Sequence, residues 1–145
     1  MRIWKKQGTL EDANARNAGT LNEALGIRFT EIGDDFLSGS MPVDARTKQP
    51  FGLLHGGANV ALAETLGSFA GYLVLAPGEG RTVGIEINAN HLRAVRAGTV
   101  TGTARPLHLG RTTQVWEIRI VDPDGTLACI SRITLAVVPE GPPIK

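Results

Sequence analysis

Cysteine is nearly absent from this chain: Cys129 stands alone among 145 residues. A single thiol excludes an internal disulfide and a cysteine-built metal cluster, and in a strand-like run it reads as a small buried filler. An excess of charge is missing too, with fifteen basic side chains against fourteen acidic and a net charge of +1. That balance excludes the footprint of a nucleic-acid binder. No apolar run approaches the ~20 residues of a membrane span, and the opening MRIWKKQGTL lacks the apolar stretch of a signal peptide. A cytoplasmic protein with no membrane partner is therefore the expectation. Repeats, low-complexity tracts and linkers are lacking as well. One domain over residues 1–145 is expected, long enough to bury roughly two-thirds of its unfolded surface without a staple.

What is there is a series of periodic runs. Thr9 before LED and Thr20 before LNE each place an acid three residues after a candidate N-cap, predicting two short helices, the second stopped by Gly26. Strands are expected over 26–32 and 36–43 around a GDD turn, with Leu37, Met41 and Val43 on one face. A long helix is expected from about Gly57 to Leu75, ended by PGEG. Leu62, Leu66, Phe69 and Leu73 would form its core face, and Ala63, Gly67, Ala70 and Gly71 a small-residue stripe against which a sheet can close. Beyond it, Val83, Ile85 and Ile87 alternate with Thr82, Gly84 and Glu86. Runs over 99–107 and 112–121, joined by HLGR, add two strands, with Trp116, Ile118 and Ile120 on one face. After the turn DPDG, alternation from Leu127 to Val137 gives the last strand, and PEGPPIK is a tail. Two strands, a long helix and four strands describe an α+β domain, an antiparallel sheet packed on one helix.

The long helix holds the oddest residue. From Gln49 to Ser68 the only formal charge is Glu64, and the nearest charges outside are Lys48 and Glu79. Glu64 and Ser68 lie one turn apart on a face rotated away from the leucine stripe. An isolated acid in an uncharged helix argues against a solvated face, and a partly dry carboxylate is poorly solvated, which suits a general base or a nucleophile. HGG opens the helix, where backbone N–H groups are unpaired at the positive end of the dipole, and Gly56 and Gly57 let a carbonyl come close. Gln49 could hold that carbonyl or an attacking water. His55 could hydrogen-bond the carbonyl or serve structure alone; Ser68 could orient water or bond back to its own helix. No serine sits in a GxSxG elbow, and His55, His91 and His108 are scattered without HExxH or close acids. NANHLR and HLGR each bring a His and an Arg to a strand end, as solvated loops or as phosphate contacts. Neither is a GxGxxG or a P-loop.

Taken together, IWKK, MPVDARTKQPFGLLHGGANVALAETLGSFAGYL, VGIEINANHLR, PLHLG and QVW resemble the hotdog-fold acyl-CoA thioesterases. The likeness is to the 1,4-dihydroxy-2-naphthoyl-CoA hydrolase and enterobactin proofreading branch, and it runs from the first residues to about Val138. It implies a hotdog fold, in which an antiparallel sheet wraps a long central helix, and hydrolysis of an aromatic acyl-CoA. It implies Glu64, Gln49, His55, Gly56 and Ser68 as catalytic residues, the Gly56 N–H polarising the thioester. It implies coenzyme A contacts at Gly84, His91, Leu92, Arg93, His108, Leu109, Gly110 and Arg111. No metal and no separate cofactor are expected, since coenzyme A belongs to the substrate. A homo-oligomer, dimer or tetramer, with sites shared between subunits is expected, and an acyl carrier protein is a further expected partner. The rival readings are a non-catalytic acyl-CoA-binding module and a hotdog dehydratase. An acid seven residues after HGG, with Gln49 upstream, favours hydrolysis over both.

Overall fold

Eighteen residues, Gly56–Leu73, form the helix α3, and the sheet is built around it. In the computed structural model, which describes residues 1–142, two short helices precede it, α1 (Leu10–Ala15) and α2 (Leu21–Leu25). The remaining elements are six strands: β1 (Arg28–Ile32), β2 (Leu37–Pro42), β3 (Arg81–His91), β4 (Thr99–Leu109), β5 (Thr113–Val121) and β6 (Leu127–Val138). They form one antiparallel sheet in the order β1-β2-β4-β5-β6-β3. Part of the expected tail, residues 143–145, lies outside the described residues. No described helix is long and apolar enough to cross a membrane.

Close approach explains the small residues of α3. A Cβ on Gly67 would stand 2.5 Å from Ile133 Cγ2, and one on Gly71 would collide with Leu135. From the sheet side, a Cβ on Gly39 or Gly102 would reach Leu66 at 2.8 or 2.7 Å. Glycine costs about 1 kcal/mol of helix propensity against alanine, and here that loss is set against the burial of Leu66, Ile118, Ile133 and Leu135. Met41, Trp116 and Ile120 complete the core, and the Cys129 thiol is buried there with its pKa pushed up by desolvation.

Local chemistry sets the ends. The N–H groups of Lys5 and Lys6 both donate to the Leu73 carbonyl, so the IWKK segment straps the C-terminal end of α3 while Trp4 stacks on Trp116. Thr9 caps α1 by accepting from the Asp12 N–H. Thr20 makes no such bond, and Glu23 reaches past it to the Gly19 N–H. Gly26 ends α2 in the left-handed region, with φ 70°.

Phe69 lies at the edge of the core stripe, partly buried against the core on Phe29 and stacked on Tyr72. One expectation is corrected here: the alternation over 82–88 is broken, because the β3–β6 ladder shifts register between Gly84 and Glu86. One extra residue inverts the facing of everything beyond it. Thr82 and Gly84 therefore face α3 together with Ile87 and Ala89, while Val83 and Ile85 are left 47% and 63% exposed.

Candidate active site

Glu64 projects from the middle of α3, half-buried, toward Gly84 on β3. A Cβ on Gly84 would stand 3.1 Å from Glu64 Oε1, so glycine keeps the strand clear of the carboxylate. The Ser68 hydroxyl, one turn on, donates to the same oxygen across a long 3.4 Å. Glu64 joins no ion pair among the described residues. Beside this pair opens a cavity of about 390 Å³ whose walls include Ser68, Phe69, Tyr72, Phe29 and Leu21. An oxygen acid beside an aromatic-walled cavity can act as base or nucleophile on an acyl group lying in it.

The N-terminal end of α3 holds a second group. His55 caps the helix: its Nδ1 accepts from the Gly57 N–H at 2.8 Å. A neutral imidazole that accepts at Nδ1 carries its proton on Nε2, so His55 presents an N–H donor outward. The same bond occupies the Gly57 N–H and leaves that of Gly56 for a ligand. The His91 ring lies flush against Gly56, where a Cβ would come within 2.9 Å of its Nε2. Gln49 sits in the turn just upstream, tied to this end by the Lys48–Leu54 bridge. Its side-chain oxygen already accepts from the Phe51 N–H, so the amide NH₂ is the part left to donate. Phe51 itself is 86% exposed at the tip of that turn. Asn59, buried one turn into α3 at 4% exposure, has a side-chain oxygen without a partner, a residue the sequence reading missed.

A third group lies at the opposite end. Leu109, Gly110 and Arg111 border a cavity of about 590 Å³ with Lys5, Glu79 and Gln114. The expected HLGR loop is shorter than expected, since His108 and Leu109 still belong to β4 past its bulge, and the turn begins at Gly110. Likewise β3 continues through His91, and the second loop begins only at Leu92. Arg93 and Leu92 are exposed there, their N–H groups donating to the Ala128 carbonyl. In the cavity wall Glu79 pairs with Lys5 at 2.8 Å and accepts from the Ala76 N–H, which together hold its carboxyl below the usual range. Gln114 is buried, accepting from Trp116 Nε1, and no periodicity marked it as a site residue.

The expected residues thus fall into three places rather than one. Glu64 follows Gly56 by eight positions, a rise of roughly 12 Å at 1.5 Å per residue. A single thioester carbonyl cannot touch both within one chain. The two candidate coenzyme loops are farther apart still, at opposite ends of an 18-residue helix.

An antiparallel sheet wrapped on one long helix, with a lone acid seven residues after HGG, defines a class, and comparison with known proteins bears this out. The family profile described as "Thioesterase superfamily" matches residues 51–129. The chain belongs to that superfamily and is a hotdog-fold thioester hydrolase. Over 136 residues it is 57% identical to the 1,4-dihydroxy-2-naphthoyl-CoA hydrolase of Escherichia coli, covering 94% of this chain and 99% of that protein. It is 58% identical over 136 residues to the proofreading thioesterase EntH of Cronobacter turicensis, with 94% and 98% covered. The crystal structure of a thioesterase from Haemophilus influenzae matches with a TM-score of 0.92 at 51% identity, over 94% of this chain and 95% of that one.

Proposed function

We propose that this protein hydrolyses aromatic acyl-CoA thioesters, with Glu64 as the reagent and 1,4-dihydroxy-2-naphthoyl-CoA as its first candidate substrate. The observation that carries this reading is Glu64 bonded to Ser68, which lines a cavity walled by Phe29, Phe69 and Tyr72. As general base, the Glu64 carboxylate takes a proton from water while the water oxygen attacks the thioester carbonyl. The C–S bond then breaks, and the departing sulfur takes up a proton to give free coenzyme A and the acid. As nucleophile, a Glu64 oxygen attacks the thioester carbonyl, the C–S bond breaks and coenzyme A leaves as its thiol on taking up a proton. Water then cleaves the resulting mixed anhydride, releasing the acid and restoring the Glu64 carboxylate. In both, the His55 Nε2–H and the Gly56 N–H stabilise the developing oxyanion, each donor worth about 3–4 kcal/mol when well placed. The Gln49 NH₂ holds carbonyl or water, and Ser68 orients the attacking group.

Two copies complete the site. β3 is an edge strand whose outer partners are missing and whose Val83 and Ile85 are apolar and exposed, a surface that invites pairing with a second β3. Antiparallel pairing sets the two α3 helices side by side in opposite directions, bringing the Gly56 end of one level with Glu64 of the other. The same arrangement brings His91, Leu92 and Arg93 of one copy near His108, Leu109, Gly110 and Arg111 of the other, with Gly84 between, as a cradle for coenzyme A. The arginines there serve its phosphates, and the reaction needs no further cofactor.

An aryl group carried on a carrier protein is the second reading, favoured by the 58% identity to EntH. Thiol release from a panel of aroyl-CoA, alkanoyl-CoA and aroyl-carrier thioesters separates the two. The proposal expects the highest kcat/KM on aroyl-CoA, with 1,4-dihydroxy-2-naphthoyl-CoA foremost. A preference for the carrier, or for straight-chain acyl groups, would overturn it.

A further inference from the structure

The far end of the acyl cavity carries a cation that the proposed reaction leaves idle. Arg16 lines the 390 Å³ cavity beside Ser68 and also a neighbouring one of about 310 Å³. The two share Phe69 and Tyr72 as walls. Its guanidinium lies 6.0 Å from the Tyr72 ring centre, and Lys6 Nζ sits over the same ring at 3.9 Å. Arg16 takes part in none of the ion pairs among the described residues. The Lys6 ammonium, in contrast, is engaged by the Tyr72 carbonyl at 3.2 Å.

Arg16 is held in place by its neighbours. Asn14 makes two reciprocal bonds with the Phe29 backbone, its amide donating to the carbonyl at 2.9 Å and its oxygen accepting from the N–H at 2.8 Å. Asn17, buried, donates to the Ile27 carbonyl at 3.1 Å. The backbone on both sides of Arg16 is thereby fixed to the start of β1, and the guanidinium is presented from a fixed base. Along α3, Tyr72 lies one turn beyond Ser68, roughly 6 Å. An aromatic ring whose carbonyl is at Glu64 and Ser68 would therefore bring its far edge to Tyr72 and Arg16.

We infer that Arg16 is a specificity residue that, between aroyl groups of equal size and shape, favours the one carrying a negative charge, such as a carboxylate, on the ring edge remote from the thioester. This rests on the reading of the cavity as the acyl site. A carboxylate there meets a planar donor set, with the Lys6 ammonium on the Tyr72 ring adding positive potential, whereas a neutral substituent of the same shape lacks the charge that the guanidinium pairs with.

The test compares kcat/KM for benzoyl-CoA, 4-carboxybenzoyl-CoA and 4-acetylbenzoyl-CoA, the last being neutral and of similar shape. Wild-type protein should favour the carboxylated over the acetylated substrate by about tenfold, ~1.4 kcal/mol. Arg16→Met should bring that ratio near one while changing benzoyl-CoA hydrolysis by less than about twofold, and Arg16→Lys should keep part of the preference. A merely structural arginine would instead lower all three rates together along with the melting temperature, and that result would overturn the inference. So would a wild-type ratio at or below one, or a ratio unmoved in Arg16→Met, in a protein that hydrolyses benzoyl-CoA in a Glu64-dependent way. Failure to hydrolyse any aroyl-CoA would remove the acyl-site reading itself, and this inference with it.

Discussion

The two faces of α3 are built from similar residues to opposite ends. Toward the sheet, Ala63, Gly67, Ala70 and Gly71 give up side-chain volume so that Ile133 and Leu135 can sit against the helix backbone. Next to that face, Ser68, Phe69 and Tyr72 keep their side chains and line open space, with Glu64 beside them bonded to Ser68. Smallness on the first face gives contact; on the other side of Glu64, the smallness of Gly84 gives clearance. Glycine alone does not tell which is meant. The neighbour that a Cβ would strike does, a methyl group in one case and a carboxylate oxygen in the other.

That contrast is tested most severely at Glu64. Glu64→Gln should leave the melting temperature close to that of wild type and lower kcat by the ~10²–10⁴ typical of losing a general base, and by more if Glu64 is the nucleophile. Retention of more than a tenth of kcat in steady-state thiol release would place the reagent elsewhere. On the opposite face the expected effects exchange places. Gly67→Val must displace Ile133, and overpacking of this kind costs about 1–3 kcal/mol, read as a lower denaturation midpoint. The rate per folded molecule should stay nearly unchanged; a specific loss of kcat would mean that the two faces are not separable. Gly84→Ala tests clearance. The new methyl group would press on Glu64 Oε1, so kcat should fall several-fold with stability little changed. An unaltered kcat would show that the carboxylate can shift aside at no cost.

Much of this was legible in the sequence, and the reasons differ from residue to residue. The helix was readable from its spacing and from PGEG, and Glu64 stood out because nothing else from 49 to 78 is formally charged. Three- and four-residue spacing places Phe69 on the core face but cannot tell the edge of an apolar stripe from its centre. Phe69 packs on the core through Phe29 and also lines the cavity beside Tyr72. Val83 and Ile85 were placed with Ile87 because period-two alternation assumes an unbroken ladder, and a one-residue bulge carries no reliable signal in a single sequence. Gln114 and Asn59 were passed over as polar residues in apolar runs, though a buried carboxamide is itself a signal once its burial is known. The separation of Glu64 from the Gly56 end was implicit in the eight-position step between them. Rise per residue was the arithmetic needed.

The central claim is that the acid of one copy works with the helix N-terminus of another. It is tested most directly by co-expressing two inactive forms, Glu64→Gln and His55→Ala, under different affinity tags and isolating the mixed assembly. Each variant alone should be nearly inactive on aroyl-CoA. The mixed assembly has one interface site with both Glu64 and His55 intact, and its activity should rise well above the sum of the two single variants. Activity equal to that sum would contradict the account, since it would mean that Glu64 and His55 act within the same chain.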